Sequence, residues 1–258
     1  MSRSPRFITL DRALSGWRDW QLSMTQKPRV LGKVAGGLTN RNYRLQAAGR
    51  DQHLLLRLNH PDPKRLGIDR AREHRIVDEV ARHGIGRPML YRDPNDRFAV
   101  FPWVEARPWT VDDRVDPQQR ARLWPLLDAL AELDLPLPRR RYGAYLDHYW
   151  QQVERRGRAD VASTEAWRAF RTRLQAFDES DWTACLTHHD LVPANILDSG
   201  HRLILIDWEY AAIGHPDIDR WSIDPNRVRE PFIAELMGWI NDLWARLIRD
   251  DSRDRARS

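Results

Sequence analysis

Residues 186–197 read LTHHDLVPANIL, and residues 203–211 read LILIDWEYA. In the first stretch an apolar run ends in His188, His189 and Asp190, and a loop containing Pro193 leads to Asn195. Proline suits a chain leaving a strand, so this loop can turn Asp190 and Asn195, five positions apart, toward one small volume. In the second stretch the strand-like run LILI delivers Asp207 at its end. A carboxylate and an amide oxygen that converge are hard ligands of the kind Mg²⁺ takes beside phosphate oxygens. The remaining carboxylate can accept a proton from a hydroxyl. These are the parts of a phosphoryl-transfer site.

Upstream of the motif the pattern changes once. ITLDRALSGWRDW has helical spacing, RVLGKVAGG and NRNYRLQAAG read as a hairpin around a glycine turn, and QHLLLRLNH is a short apolar strand. IDRAREHRIVDEVARHGI is a helix with an apolar stripe at Ile68, Ala71, Ile76, Val80 and Ala81, stopped by Gly84. MLYRDPNDRFAVFPWVE reads as a hairpin turning at Asp93 to Asp96. From about Val104 the chain becomes mostly helical, through DPQQRARLWPLLDALAEL, YGAYLDHYWQQVERRG and STEAWRAFRTRLQAF, and it closes with the amphipathic FIAELMGWINDLWARLIRD. The expectation is a bilobal α+β fold: residues 1–103 form a small lobe with an antiparallel sheet and one main helix, and residues 104–258 form a larger helical lobe.

Composition removes several alternatives. The formal charge of +5 comes from 42 Lys+Arg against 37 Asp+Glu, interleaved as in RADVASTEAWRAFR, so a solvated mixed surface is expected and no nucleic-acid partner. The single Cys185 excludes an internal disulfide and reads as a buried small hydrophobe. No run approaches the roughly 18 apolar residues of a membrane span, and no secretory h-region is seen, so a cytoplasmic protein without a membrane partner is expected.

HHDLVPAN and IDWEYA resemble the catalytic and metal-binding motifs of the aminoglycoside phosphotransferase and choline kinase superfamily, H-x-D-x-x-x-x-N followed by I-D-x-x. Corresponding motifs serve protein kinases. The resemblance runs from about Gly36 to Asp219 and implies a protein-kinase-like fold using ATP and Mg²⁺. It implies Asp190 as the catalytic base, Asn195 and Asp207 as metal ligands, and His188 as a support that fixes the loop. His189 stands where family members often carry Gly or Asn and receives no role.

GGLTNRNY matches the family's nucleotide loop, with Gly36 and Gly37 opening the backbone to phosphate and Thr39 or Asn40 adding donors, although the same residues suit an ordinary hairpin turn. Arg57 occupies the strand position of the kinases' phosphate-binding Lys, and Glu73 on the next helix is placed to pair with it. FAVFPWVE is the implied edge strand and hinge, offering adenine the Pro102 carbonyl and the Val104 N–H.

For the acceptor, IDWEYA and GGLTNRNYRL resemble the choline/ethanolamine kinases and also bacterial thiamine kinases, and YLDHYWQQ resembles the latter. The expected substrate is a small cationic alcohol, choline or ethanolamine ahead of thiamine. Tyr210, Trp221, Trp239 and Trp244, four of the chain's many aromatics, are candidates for a wall against a quaternary ammonium, with Glu209 adding negative charge or backing the metal ligands. Trp239 and Trp244 lie five apart, so at least one of them reads as core. Two alternatives stand beside this: a sugar or aminoglycoside kinase using the acidic stretch HPDIDRWSID, residues 215–224, and a catalytically silent nucleotide-binding regulator.

Overall fold

Short segments of leucine, valine and tyrosine, punctuated by glycine turns, build the first sheet because such residues fill a pleated, half-buried surface. The computed structural model describes residues 6–37 and 39–255, with side chains through residue 247; Leu38, within the GGLTN stretch, lies outside the described residues. The chain begins with α1 (Leu10–Ser15), whose N-cap Thr9 accepts from the Arg12 N–H. The single helix expected over ITLDRALSGWRDW ends at Gly16, and a 3-10 turn over Trp17–Trp20 follows.

Strands β1 (Arg29–Val34), β2 (Arg41–Gln46), β3 (Leu54–Leu58), β4 (Tyr91–Arg92) and β5 (Phe98–Pro102) form an antiparallel sheet in the order β1-β2-β3-β5-β4. The Phe98–Pro102 segment was expected at an edge. It lies inside the sheet, paired with β3 on one side, while the two-residue β4 forms the edge. The β4–β5 turn is held by Asp93, whose carboxylate accepts from the N–H groups of Asn95 and Arg97.

All five residues of β3 are buried. With a period of two, Leu54, Leu56 and Leu58 take one face and pack with Leu45, Phe98 and Val100 against Ala13, Leu14, Trp17 and Trp20. Leu55 and Arg57 take the other face. An arginine inside such a strand needs a counter-charge. The next element supplies it: α2 (Arg70–Arg82), capped by Asp69 on the Arg72 N–H, buries Arg70, Glu73, Ile76, Val77 and Val80. This face differs from the expected stripe, since Ala71 is exposed and Ala81 half-buried, and two charged residues take places that hydropathy gives to apolar ones. Gly84, at φ +69°, terminates the segment as expected.

Contacts divide the chain into two compact units, Met1–Leu130 with Val192–Tyr210, and Ala131–Leu191 with Ala211–Ser258. The first unit adds β6 (Arg107–Pro108), α3 (Val111–Val115) and α4 (Pro117–Ala131). It also holds a second small sheet in which β6 pairs with β8 (Ile196–Asp198) and β8 with β9 (Leu203–Leu205). β6 and α3 were not expected; α3 is fixed by a capping box between Thr110 and Asp113.

The second unit contains α5 (Tyr142–Arg155), α6 (Val161–Glu179), β7 (Cys185–Thr187), β10 (Ala212–Gly214), α7 (Asp217–Ile223) and α8 (Phe232–Arg255). Its core is aromatic: Trp150 stacks on Trp167 at 5.0 Å, and Trp239 stacks on Phe170 at 5.0 Å. Cys185, expected as buried, is half-buried at the start of β7, where desolvation raises its thiol pKa. No helix among the described residues is long and apolar enough to cross a membrane.

Candidate active site

The β8–β9 ladder aligns the two motif asparagine and aspartate positions. Ile196 pairs with Leu205, and the Ile206 N–H donates to the Asn195 carbonyl at 3.0 Å. Asn195 therefore stands at the entry to one strand, beside the point where the chain leaves the other toward Asp207. Asn195 is buried at the end of a 3-10 turn, Pro193–Asn195. Asp207 has φ +67°, the left-handed region, which costs a non-glycine residue about 1 kcal/mol and persists where surrounding structure enforces it.

Asp190 lies on the second unit, two residues before the chain passes to the first at Val192. His188 is fully buried, and its Nδ1 accepts from the Asp190 N–H at 3.3 Å. Asp219, on α7, accepts from the N–H groups of His188 at 2.7 Å and His189 at 3.0 Å. Burial pushes the Asp219 carboxyl up to about 6 despite these two donors.

His189 also has φ +64°, which gives a physical reason for glycine or asparagine at this position of the family's motif. Its ring is bonded at both nitrogens. Nδ1 lies 3.0 Å from the Thr187 carbonyl, which can only accept, so Nδ1 carries the proton and Nε2 accepts from the Tyr142 hydroxyl at 3.0 Å. Tyr142 in turn accepts from the His215 N–H at 2.9 Å. Gly214 leaves the space: a Cβ there would stand 2.6 Å from both His189 Nε2 and the Tyr142 oxygen.

The first unit carries a buried charge network. Arg57 Nη1 lies 2.7 Å from Glu73 Oε1, and Arg70 Nη1 lies 2.6 Å from Glu73 Oε2 and 3.1 Å from Glu209 Oε2. Glu209 also accepts from Thr39 Oγ1 at 2.6 Å and Asn40 Nδ2 at 2.9 Å. Asp207 Oδ1 lies 3.6 Å from Arg57 Nη1. Burial would raise the Glu73 carboxyl, but Arg57 and Arg70 overcome it and hold it down to about 2. Burial would lower the Arg57 pKa, and Glu73, Asp207 and Glu209 outweigh that and raise it. Asp207 moves the other way, up to about 7, through its withdrawal from solvent and the neighbouring Glu209 charge.

A cavity of about 40 Å³ opens within this network, lined by residues that include Asn42, Arg57, Glu73, Arg87, Phe101 and Asp207. Four buried atoms of its lining residues have no hydrogen-bond partner: Asn42 Oδ1, Arg57 Nη2, Asp207 Oδ1 and Glu73 Oε1, the last held in its ion pair with Arg57. Buried polar atoms are rarely left so, and the three outside the close Arg57–Glu73 pair offer one donor and two acceptors to a bound group. Among the described residues no group of three His, Cys, Asp or Glu side chains could cage a metal.

The other expected residues fall elsewhere. Gly36 and Gly37 are exposed with φ of +88° and +77°, open to approach, whereas Thr39 and Asn40 are buried and point their donors at Glu209. Pro102 ends β5, and Val104 lines a separate cavity of about 340 Å³ with Gln52, His53, Trp103, Arg202 and others. The four expected aromatics do not share one setting. Trp239 is half-buried with its ring packed among Trp150, Trp167 and Phe170, Trp221 packs against the same core, and Tyr210 is buried with Leu66 and Ile68. Trp221 and Trp244 are half-buried.

In the acidic stretch 215–224, Asp217 accepts from the N–H groups of Arg229 and Glu230 and pairs with Arg220, and Asp219 serves the His188–His189 backbone. The carboxylates proposed for an acidic pocket are thus committed internally. Asp219, Tyr142 and Gly214 were not singled out from sequence; the spacing of Asp219 from the motif, 31 residues from His188, gives no periodic signal.

A model of the phosphotransferase enzyme family (APH) matches residues 31–250. No curated protein matches the chain. Among solved structures, the chain is similar to the choline kinase LicA from Streptococcus pneumoniae, with TM-score 0.73 and 18% identity over 95% of this chain and 92% of that one. It is similar to a choline/ethanolamine kinase family protein from Mesorhizobium loti, with TM-score 0.57 and 23% identity over 84% of this chain and 70% of that one. It is also similar to a thermostable mutant of aminoglycoside phosphotransferase APH(4)-Ia in ternary complex with AMP-PNP and hygromycin B, with TM-score 0.61 and 16% identity over 92% and 93% of the two chains. The fold is the α+β kinase-like fold of these proteins.

Proposed function

The chain belongs to the phosphotransferase enzyme family, and from that premise we propose that it transfers the γ-phosphoryl group of ATP to the hydroxyl of a small cationic alcohol, choline or ethanolamine before thiamine. The observation that carries this reading is the Arg57–Glu73–Asp207 constellation at 2.7 and 3.6 Å, with unpartnered buried atoms facing one cavity. It is supported by the ladder that aligns Asn195 with Asp207. Similarity to kinases of choline and to a complex holding AMP-PNP supports the donor and acceptor classes.

In this account residues 1–103 chiefly serve the nucleotide and residues 104–258 the catalytic loop and acceptor. Gly36 and Gly37 admit phosphate, Pro102 and Val104 meet adenine through backbone, and Arg57, held by Glu73, attracts phosphate oxygens. Asp190 accepts the acceptor hydroxyl's proton, its loop fixed by His188 and by Asp219. A divalent cation fits the donor set: Asp207 Oδ1 is buried without a hydrogen-bond partner, and the Asn195 amide is a hard oxygen donor at the entry to the adjoining strand. Bound Mg²⁺ would neutralise charge developing on the phosphates. Glu209, occupied by Thr39, Asn40 and Arg70, backs this site by tying the glycine-rich turn and α2 to the Asp207 segment.

The acceptor's cationic end is proposed to meet aromatic rings, and with the Trp239 ring stacked on Phe170 and Tyr210 buried, the half-buried Trp221 and Trp244 are the candidates. The test is ATP consumption with Mg²⁺ against choline, ethanolamine, thiamine, an aminosugar and an aminoglycoside. Acceleration by a cationic alcohol is expected. Acceleration by the aminoglycoside alone, or by none of the five, overturns the acceptor class.

A further inference from the structure

Arg87 follows α2 and was not singled out in the sequence. Its loop is docked: the Ile85 carbonyl accepts from the Leu205 N–H at 2.9 Å, and a Cβ on Gly86 would stand 2.8 Å from Val80 and 3.0 Å from the Trp208 ring nitrogen. Arg87 is therefore built onto the strand that delivers Asp207. Its guanidinium carbon lies 4.8 Å from the Phe101 ring centroid, and that of Arg57 lies 5.3 Å from the same centroid, so the two are at most about 10 Å apart. Both line the 40 Å³ cavity that also holds Asp207 and Asn42.

The two arginines differ in their partners. Arg57 has Glu73 and, at longer range, Asp207. Arg87 rests on Phe101 and, among the described residues, makes no hydrogen bond or ion pair. The neighbouring Arg70 has Glu73 and Glu209 as close ion-pair partners, both at its Nη1. A half-buried cation beside a second cation is unfavourable on its own, and burial together with the Arg57 charge pulls the Arg87 pKa down to about 10. A guanidinium with no close ion pair, offset only by the Asp207 charge across the same cavity and sharing that cavity with the unpartnered Arg57 Nη2, suits the forked donation by which arginines hold oxyanions.

We propose that Arg87 is a second phosphate-binding cation, and that with Arg57 it forms a two-guanidinium seat for a phosphate group of the nucleotide. The proposal rests on the phosphotransferase reading above and adds to it a residue outside the motifs. It assigns the charge of Arg87 to the phosphates and not to the base or the acceptor.

The test is calorimetric binding, without turnover, of adenosine and ADP to the wild type, Arg87→Met and Arg87→Lys. Loss of one charge-assisted contact corresponds to about a ten- to hundredfold weaker ADP affinity in Arg87→Met. Adenosine affinity is expected to stay unchanged, and Arg87→Lys, which keeps charge but loses the fork, to fall between. Equal weakening of adenosine and ADP, or ADP affinity unchanged in both variants, overturns the role of Arg87 while leaving the kinase reading intact. A wild type that binds neither ligand overturns both. If Arg87→Met does not fold, the ADP-to-adenosine ratio in Arg87→Lys decides: lowered, it supports the seat, and unchanged, it refutes it.

Discussion

Replacing Glu73 by Gln isolates the charge that organises the first unit. The glutamate is 1% exposed and is shared by Arg57 at 2.7 Å and Arg70 at 2.6 Å. Holding its carboxyl at about 2 instead of 4.5 corresponds to roughly 3 kcal/mol in favour of the charged form. Removing one partner from a buried pair costs about 3–5 kcal/mol, so the two routes agree. Glu73→Gln preserves volume but removes the charge and turns an amide donor toward a guanidinium. It should lose about 3 kcal/mol in urea unfolding at pH 7.

The pH dependence carries a separate signature. A carboxyl whose native pKa is depressed is protonated first in the unfolded chain as pH falls. Its stabilisation is therefore full above about 4.5 and disappears as pH falls toward about 2. The difference in stability between wild type and Glu73→Gln should shrink across that window. A variant within about 0.5 kcal/mol of wild type at pH 7, an ordinary surface-substitution effect, would refute the view that this carboxylate anchors Arg57.

Three further substitutions probe the loop at residues 188–190. Gly214→Ala should cost about 1–3 kcal/mol by overpacking against His189 and Tyr142, and His189→Gly in the same chain should recover part of it, since glycine removes the ring and accepts φ +64° while the Tyr142 contact remains; equal stability of the single and double variants in denaturant would contradict the packing account. For Asp219 the sign is opposite to Glu73: its native carboxyl titrates near 6, above its ordinary 3.8, so wild-type stability relative to Asp219→Asn should fall as pH rises from about 4 to about 6 and then level off. A flat difference curve would remove burial as the dominant influence on that carboxyl.

The parts of this fold carried by local pattern were legible in the sequence. The glycine turn between β1 and β2, the β4–β5 turn at Asp93, the start of α2 and the helices of the second half follow from turn chemistry, caps and apolar period. What escaped depends on partners distant in the chain. The buried face of α2 includes Arg70 and Glu73, which hydropathy scores as surface, because Arg57 and Glu209 from other elements neutralise them. The edge position of β5 is an expectation of the family resemblance alone; the hairpin read over MLYRDPNDRFAVFPWVE already supplies β4 as its neighbour, and β4 takes the edge. Trp239 and Tyr210 could serve either core or ligand by composition, and only their stacking on Phe170 and packing with Leu66 and Ile68 distinguish these uses. Within the candidate site, the motif residues stand out by spacing, whereas Asp219, Tyr142 and Arg87 come to their places through tertiary contacts that leave no local pattern.

The most direct test of the central claim is a single-turnover measurement of phosphoryl transfer from ATP with Mg²⁺ to the best acceptor, in the wild type and Asp190→Asn, alongside nucleotide affinity in both. The account predicts unchanged nucleotide affinity and transfer slowed by about 10²–10⁴, the usual worth of a positioned base. Transfer by Asp190→Asn at the wild-type rate would contradict it.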